Sequence, residues 1–240
     1  MTEGKNPGWF PDEMANAGRE NMDADHAALY DSKEDADAAG EMSLLTGCGL
    51  NSQSEVVDLG AGTGQFTLAA APNCARVIAV DISSVMLGVL KAKVDAANLS
   101  NVEIVQAGFL TYEHRGKPAD FVYSRYALHH LPDLWKAVAL NKIRRIVRPG
   151  SLLRLWDIVY NFGPDEAEDR LEQWCATISD NVTDNDSGGW RRSDIEEHIR
   201  DEHSTFTWFL EPLIEQSGFE IEDAMYSPDG IFAKYIARAI

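Results

Sequence analysis

The sequence predicts an α/β fold in which mostly parallel strands form one sheet between helices. Strand-like and helix-like segments alternate from residue 55 to residue 157, and this alternation is typical of parallel sheets, whose strands are joined by crossover helices. A glycine-rich turn separates the first strand from the first helix. Because a turn without Cβ atoms at a helix N-terminus lets a ligand approach the backbone N–H groups, the sequence also predicts a ligand site there.

The 240 residues are sufficient for one domain with a sizeable core. Apolar runs predict five strands, separated by three helices. Pro149 and Gly150 are expected to turn the chain into the fifth strand. The predicted strands are Val56–Leu59, Arg76–Val80, Val102–Gln106, Phe121–Ser124 and Leu152–Trp156, and the predicted helices are Gln65–Ala71, Ser84–Ala97 and Asp133–Val147.

Two regions lie outside this predicted core. Residues 1–50 are expected to form an N-terminal helical cap, and residues 51–240 form the main domain with an ordered helical insertion at about 160–205. The insertion is acidic and contains Trp174 and Trp190, and connections of this length are usually functional or disordered. Ligands of open α/β sheets bind at the carboxyl ends of the strands, so both regions are candidate lids.

Charge and composition limit the classes of function. The net charge is −18, and a field of this sign opposes nucleic acids, although Arg144, Arg145 and Arg148 could form a local basic patch. No apolar run approaches the roughly 18 residues of a membrane span, and no signal-peptide core begins the chain. The three cysteines are unclustered, which suits a reducing cytoplasm and gives no metal-site spacing. We expect a cytoplasmic monomer or homodimer.

The most informative motif lies between Glu55 and Gly64. Gly60, Gly62 and Gly64 give the spacing G-x-G-x-G, and Gln65 stands where a dinucleotide fingerprint has its third glycine. Asp58 precedes the first glycine by two residues. A carboxylate there would repel a dinucleotide phosphate and would attract an amine, so Asp58 favours a ligand that carries an amine and no phosphate.

Asp81 is the second signal of the same site. It ends the apolar run Val77–Val80 about 20 residues after the glycine loop, where such folds place a carboxylate that accepts hydrogen bonds from ribose hydroxyls. The alternative is that Asp81 only caps the helix that starts near Ser83. Asp58 and the glycines upstream favour the ribose role.

Four segments, in order, resemble those of class I S-adenosylmethionine-dependent methyltransferases. Asp58–Gly64 is similar to motif I, and Val80–Ser83 to the segment after it. Asp120–Asp133 resembles the fourth conserved segment of the small-molecule branch, which includes ubiquinone/menaquinone-type methyltransferases. Arg148–Asp157 is similar to the next segment, although Ser151 replaces the second glycine of the usual RPGG.

This resemblance implies a Rossmann-like three-layer sandwich whose mostly parallel, seven-stranded sheet has an antiparallel last strand. Phe219–Ala224 and Ile231–Ala237 fit the sixth and seventh strands, and Phe206–Ser217 fits the helix before them. It also implies in-line methyl transfer from S-adenosylmethionine to a small-molecule acceptor. The implied cofactor-binding residues are Tyr30, Asp58, Gly60, Ala61, Gly62, Gly64, Asp81, Ile82, Met86, Gly108, Phe109 and Ser124.

The adenine contact departs from the family pattern. Many family members bind the adenine amine through an acidic residue after the third strand. This chain has Ala107, Gly108 and Phe109 there, so the backbone or the Phe109 ring must substitute.

Catalytic and acceptor-binding residues are less clearly indicated. His129 and His130 could remove a proton from an acceptor, or could have a structural or cofactor-side role. The resemblance places Arg125, Tyr126 and Tyr160 at the acceptor pocket. A metal site is not expected, because the histidines at positions 198 and 203 are five residues apart and have no obvious third ligand.

Three functions remain open from the sequence. The favoured one is a small-molecule methyltransferase. The second is an RNA or protein methyltransferase of the same fold, and the third is a non-catalytic S-adenosylmethionine-binding or nicotinamide-binding protein. The fold alone does not separate them.

Overall fold

The computed structural model describes residues 7–15, 23, 27, 30, 31, 33, 35–177 and 190–240. Its helices are α1 (Ala38–Gly47), α2 (Gln65–Ala70), α3 (Ser84–Ala96), α4 (Asp133–Ile146), α5 (Ala167–Thr177), α6 (Arg192–Asp201) and α7 (Thr207–Gln216). Its strands are β1 (Glu55–Leu59), β2 (Arg76–Asp81), β3 (Val102–Gln106), β4 (Ala119–Arg125), β5 (Val147–Tyr160), β6 (Thr205–Phe206), β7 (Phe219–Tyr226) and β8 (Phe232–Ala239).

Seven of these strands form one twisted sheet in the order β3-β2-β1-β4-β5-β8-β7. The first five are parallel to their neighbours, and β8 runs antiparallel to both β5 and β7. The two-residue strand β6 pairs with the end of β5 and was not predicted. The predicted mostly parallel sheet with an antiparallel last strand is therefore confirmed.

The prediction for Pro149 and Gly150 is wrong in one respect. The pair lies inside β5, not before it, and the register jumps there from Ala119 opposite Val147 to Phe121 opposite Leu152. The chain therefore bulges, with Gly150 at φ 88°. A bulge tolerates proline because its missing N–H is not needed for the ladder.

The two faces of the sheet are buried in separate cores. Val57 belongs to the core that α4 and α7 cover, whereas Val56 belongs to the core that α1 and α2 cover. Successive side chains of a strand point to opposite faces, so an apolar run in β1 supplies both cores. This arrangement explains why the central strands are continuously apolar and do not alternate with polar residues.

Helix α1 is held on the sheet by a buried ion pair. Glu41 accepts from Arg154 Nε and Nη2, both at 2.7 Å, and each side chain is only 3% exposed. Met42 and Leu45 pack beside it in the core. Helix α1 falls within the residues predicted as an N-terminal cap, and most of residues 1–34 lie outside the described residues.

The insertion after β5 contains α5 and α6. Trp174 and Ile195 join these helices in a third apolar cluster, together with Tyr160 and Phe162. Arg192 donates to Glu172 across the two helices at 2.8 Å. Residues 178–189 of the predicted insertion lie outside the described residues. None of the described helices is long and apolar enough to cross a membrane.

Candidate cofactor site

Two adjoining cavities open at the carboxyl ends of β1, β2 and β4, where the strand order reverses and such folds bind ligands. The first is an open cleft that encloses about 760 Å³ together with its mouth. The second shares Tyr30, Gly60, Gly62 and Arg125 with the first. The predicted site residues around the two cavities are Tyr30, Asp58, Gly60, Ala61, Gly62, Asp81, Ile82, Met86, Gly108, Phe109, Arg125, Tyr126 and His130.

The glycine loop is shaped by positive φ angles and by close packing. Gly60 has φ 77° and Gly64 has φ 87°, both in the region that L side chains rarely adopt. A Cβ on Gly60 would overlap Ala127, and one on Gly64 would overlap Leu90 of α3. Gly64 lies at the N-cap of α2 and lines neither cavity, so its role is packing.

The N–H groups of the loop are largely used within the protein. Gly60 and Ala61 donate to the carbonyl oxygen of Val80 at 2.8 and 3.0 Å, and Gly62 donates to Asp81 Oδ2 at 2.8 Å. These amides are therefore not aimed at a ligand, which corrects the expectation drawn from the turn. What the loop offers is close approach of its Cα atoms.

Asp81 ties the loop to the start of α3 and faces the first cavity. Its Oδ1 accepts from the Ser83 N–H at 2.8 Å, and burial raises the pKa of its carboxyl. The helix cap is Ser83, whose hydroxyl accepts from the Met86 N–H. A carboxylate has about four lone-pair sites, so Asp81 keeps acceptor capacity for a ligand.

Asp58 places a second carboxylate at the other cavity. It is 2% exposed, and its Oδ2 accepts from the Thr67 hydroxyl at 2.6 Å. Burial raises the pKa of Asp58 to about 7, and the Asp81 charge adds to the effect. A cationic ligand group beside Asp58 would offset the cost of burying its negative charge. The position therefore suits the ammonium group of a ligand.

Glu13 is a site residue that the sequence did not reveal. It lines the first cavity, is 8% exposed, and accepts from the Leu110 N–H at 3.0 Å, 97 residues along the chain. Its carboxylate occupies the space into which a Cβ on Gly108 would project. The Glu13 carboxylate thus lies beside the residues that follow β3, where the sequence itself has no acidic residue. No local sequence pattern could have indicated this contact.

The segment before α1 covers the second cavity. Ala36 and Tyr30 line it, the Ala36 N–H donates to Gln65 Oε1 at 2.9 Å, and Arg125 Nη2 donates to the Asp35 carbonyl at 3.0 Å. The predicted position of Tyr30 at the site agrees with this geometry.

Ser124 and Tyr160 line neither of these cavities. In β4 the neighbours Tyr123 and Arg125 face the second cavity, and Ser124 points to the opposite face because side chains alternate along a strand. Tyr160 packs against Phe162 and Phe206 with ring centroids 5.3 and 5.8 Å apart. The structure does not bring these two residues to the site that the resemblance implied.

His129 and His130 have different surroundings. His130 lines the first cavity, whereas His129 is 4% exposed and its Nδ1 pairs with Asp157. Burial opposes the charged form of His129, but Asp157 and Glu202 outweigh it and raise its pKa to about 9. Burial and the His129 charge lower the pKa of His130 to about 3. Neither histidine has the near-neutral pKa that favours general-base catalysis.

Comparisons with known proteins agree with this architecture. A family model described as a methyltransferase domain matches residues 56–150. A methyltransferase from Oceanobacillus iheyensis is 30% identical over 152 residues, which is 60% of this chain and 69% of that protein. A demethylmenaquinone methyltransferase from Bacillus mycoides is 30% identical over 101 residues, 41% of this chain and 42% of that protein.

A solved structure extends the likeness to most of the fold. The N-methyltransferase NodS from Bradyrhizobium japonicum, in complex with S-adenosylhomocysteine, matches with a TM-score of 0.61 at 14% identity. The match covers 95% of this chain and 99% of that one. The fold and the glycine-loop site therefore define a Rossmann-like methyltransferase.

The chain belongs to the class I S-adenosylmethionine-dependent methyltransferases. It is a methyl-transferring enzyme whose cofactor is S-adenosylmethionine. The aligned part spans less than half of the demethylmenaquinone methyltransferase, so the acceptor of that relative is not assigned to this protein.

Proposed function

We propose that this enzyme transfers the methyl group of S-adenosylmethionine to a small-molecule acceptor. The observation that carries the proposal is the pair of carboxylates, the buried Asp58 and the half-buried Asp81, in adjoining cavities that meet at Gly60 and Gly62. S-adenosylmethionine has an ammonium group at one end and ribose hydroxyls near the other, so two carboxylates separated by a glycine loop match its polar groups.

Each part of the cofactor has a counterpart among the lining residues. Asp58 would accept from the ammonium group, and Arg125, which reaches both cavities, would pair with the carboxylate of the methionine part. Asp81 would accept from the ribose hydroxyls. The remaining part of the first cavity would hold adenine between Ile82 and Met86, with Glu13 near its amine.

Bound S-adenosylmethionine supplies a methyl group on a sulfonium cation, which leaves by in-line displacement. The protein's part is to hold donor and acceptor in line and to exclude water, and such positioning can supply about 7–11 kcal/mol of the barrier. Tyr126 and His130 line the first cavity, where they would orient an acceptor. The segment at Tyr30 and Ala36 would exclude water from the methionine end.

Two observations support a small molecule over a nucleic acid as the acceptor. The net charge of −18 opposes the approach of a polyanion. The Bacillus mycoides relative is named for a small-molecule reaction, demethylmenaquinone methylation. An RNA or protein acceptor stays the alternative.

Calorimetry with S-adenosylmethionine, S-adenosylhomocysteine and NAD tests the cofactor assignment. We expect both sulfur nucleosides to bind with one site per chain, and NAD to bind much more weakly. A methyl-transfer screen with labelled cofactor against metabolite fractions and against RNA then tests the acceptor class. Label transferred only to RNA or protein would overturn the small-molecule proposal.

The Asp58 carboxyl provides a pH-dependent prediction. Its pKa of about 7 without cofactor should fall when an ammonium group binds beside it, because an opposite charge favours the ionised form. Between about pH 6 and 7, where Asp58 is partly protonated, we therefore expect binding to release up to about one proton per cofactor. Calorimetry in buffers of different ionisation enthalpy measures this release.

Asp58→Asn should abolish the proton release, because an amide does not titrate. Asp95→Asn, at an exposed residue paired with Lys91 on α3, is the control and should leave the release unchanged. Equal release from Asp58→Asn and the wild type would show that another group supplies the proton.

A further inference from the structure

A buried cluster of histidines and acids adjoins the first cavity, formed where α6 ends against β5 and the 3-10 turn Leu128–His130. Among the described residues, the ligand atoms of His129, His130 and Glu202 all lie within 4.8 Å of one another. The fold brings these residues together from segments that are distant in the sequence. The spacing of His198 and His203, on which the sequence-based expectation of no metal rested, does not reveal this grouping.

The acidic partner of His129 fixes the orientation of its ring. Asp157 pairs with His129 Nδ1, and its Oδ2 also accepts from the His129 backbone N–H at 3.1 Å. The Nε2 atom is thereby directed toward Glu202 Oε2, 2.9 Å away. A carboxylate on one imidazole nitrogen is the usual support for a histidine that binds metal through the other.

Three imidazole nitrogens converge on a single carboxylate oxygen. Besides His129 Nε2, Glu202 Oε2 lies 3.8 Å from His130 Nδ1 and 2.5 Å from His198 Nδ1. Glu202 is thus paired with His129 and His198, whereas His130 Nδ1 is buried without an aligned hydrogen-bond partner among the described residues. Buried polar atoms are rarely left without a partner, so His130 Nδ1 lacks a group that would satisfy it.

The spacing fits a cation between these atoms. Ligand atoms about 2.1 Å from a tetrahedral ion lie about 3.4 Å apart, and the contacts from Glu202 Oε2 to His129 Nε2 and His130 Nδ1, at 2.9 and 3.8 Å, bracket that value. Two imidazoles and one carboxylate form a ligand set suited to divalent transition metals. His198, whose Nε2 lies 2.9 Å from Ser204 Oγ, would orient the Glu202 carboxylate.

We propose that His129, His130 and Glu202 bind one divalent transition-metal cation at the wall of the first cavity. His130 belongs to both the cluster and the cavity lining, so the open coordination positions of the ion would face the cavity and take water or an acceptor oxygen. This placement beside the acceptor rests on the proposed function, whereas metal binding itself does not.

Metal titration of the purified protein tests the site. Protein treated with a chelator and dialysed is titrated with Co²⁺, whose visible spectrum reports its coordination, and with Zn²⁺ by calorimetry. We expect the wild type to bind one ion per chain. We expect Glu202→Gln to bind it at least about 100-fold more weakly, because loss of a metal ligand should cost at least as much affinity as loss of a residue that supports a ligand. Glu197→Gln, at an exposed acid on α6, the helix that ends next to Glu202, should bind as the wild type does.

If Glu202→Gln fails to fold by circular dichroism, His130→Asn at the cavity wall gives the same test. The proposal is overturned if the wild type binds no stoichiometric ion, or if Glu202→Gln or His130→Asn binds as tightly as the wild type. His129 showing both ring nitrogens protonated by NMR at every ion concentration would also overturn it. S-adenosylmethionine calorimetry on the same metal-free protein separates the two proposals, because cofactor binding without metal binding contradicts only the metal site.

Discussion

Replacing Asp81 by alanine is expected to weaken S-adenosylmethionine binding about 100-fold, or about 2.7 kcal/mol. The carboxylate would accept from the ribose hydroxyls, and hydrogen bonds to a charged group contribute about 1.5–3 kcal/mol each. The same side chain accepts from the Gly62 N–H, so its loss also frees the glycine loop. Calorimetry of cofactor binding measures the change.

Asp81→Asn is the matched variant, because an amide oxygen can still accept from Gly62 while the charge is lost. We expect its affinity to lie between those of the wild type and Asp81→Ala. Asp95→Ala, on the exposed face of α3, should bind normally. If Asp81→Ala keeps wild-type affinity while it remains folded, the ribose assignment is wrong.

Glu41→Ala is expected to lower the free energy of unfolding by about 3–5 kcal/mol. Glu41 and Arg154 pair through two hydrogen bonds of 2.7 Å, and both are almost completely buried. Removal of the carboxylate leaves the Arg154 guanidinium in the core without its counter-charge. Because the pair anchors α1 to β5, α1 should lose protection in hydrogen exchange as well as stability in urea.

Two comparisons separate the buried charge from the loss of packing. The double variant Glu41→Leu with Arg154→Met removes both charges and should recover most of the stability, since well-packed apolar residues often replace buried ion pairs. Arg148→Ala removes the ion pair between Asp120 and Arg148, a largely exposed arginine. This change should lower the free energy of unfolding by at most about 1 kcal/mol. A cost for Glu41→Ala no greater than that of Arg148→Ala would contradict the prediction.

The core elements could be predicted from the sequence because their causes are local. The strand Val102–Gln106 and the start of α2 at Gln65 are observed where the apolar runs and the glycine loop predict them. Gly60 and Gly64 were identifiable because a tight turn at a helix N-terminus requires positive φ. The bulge at Pro149 and Gly150 was missed, because it depends on the register with β4, which is not a local property.

The candidate site divides in the same way. Asp58 and Asp81 were predicted because each lies near the carboxyl end of an apolar strand, and the sheet brings both strand ends to one edge. Ser124 was misplaced by one residue, since the face of β4 that meets the cavity is set by how β4 pairs with its neighbours. Glu13 comes from a segment 97 residues before its partner Leu110, a separation across which no periodicity operates.

The sequence by itself determined the fold class, the glycine loop and the carboxylates of the candidate cofactor site. These depend on residue periodicity and backbone dihedral preferences within short windows, which the order of residues encodes directly. The tertiary structure alone decided that Glu13 fills the space beside Gly108 and that Glu202 meets His129 and His130. Such contacts arise when elements distant in the chain pack together, because burial of their apolar faces, and not local order, sets which polar side chains meet.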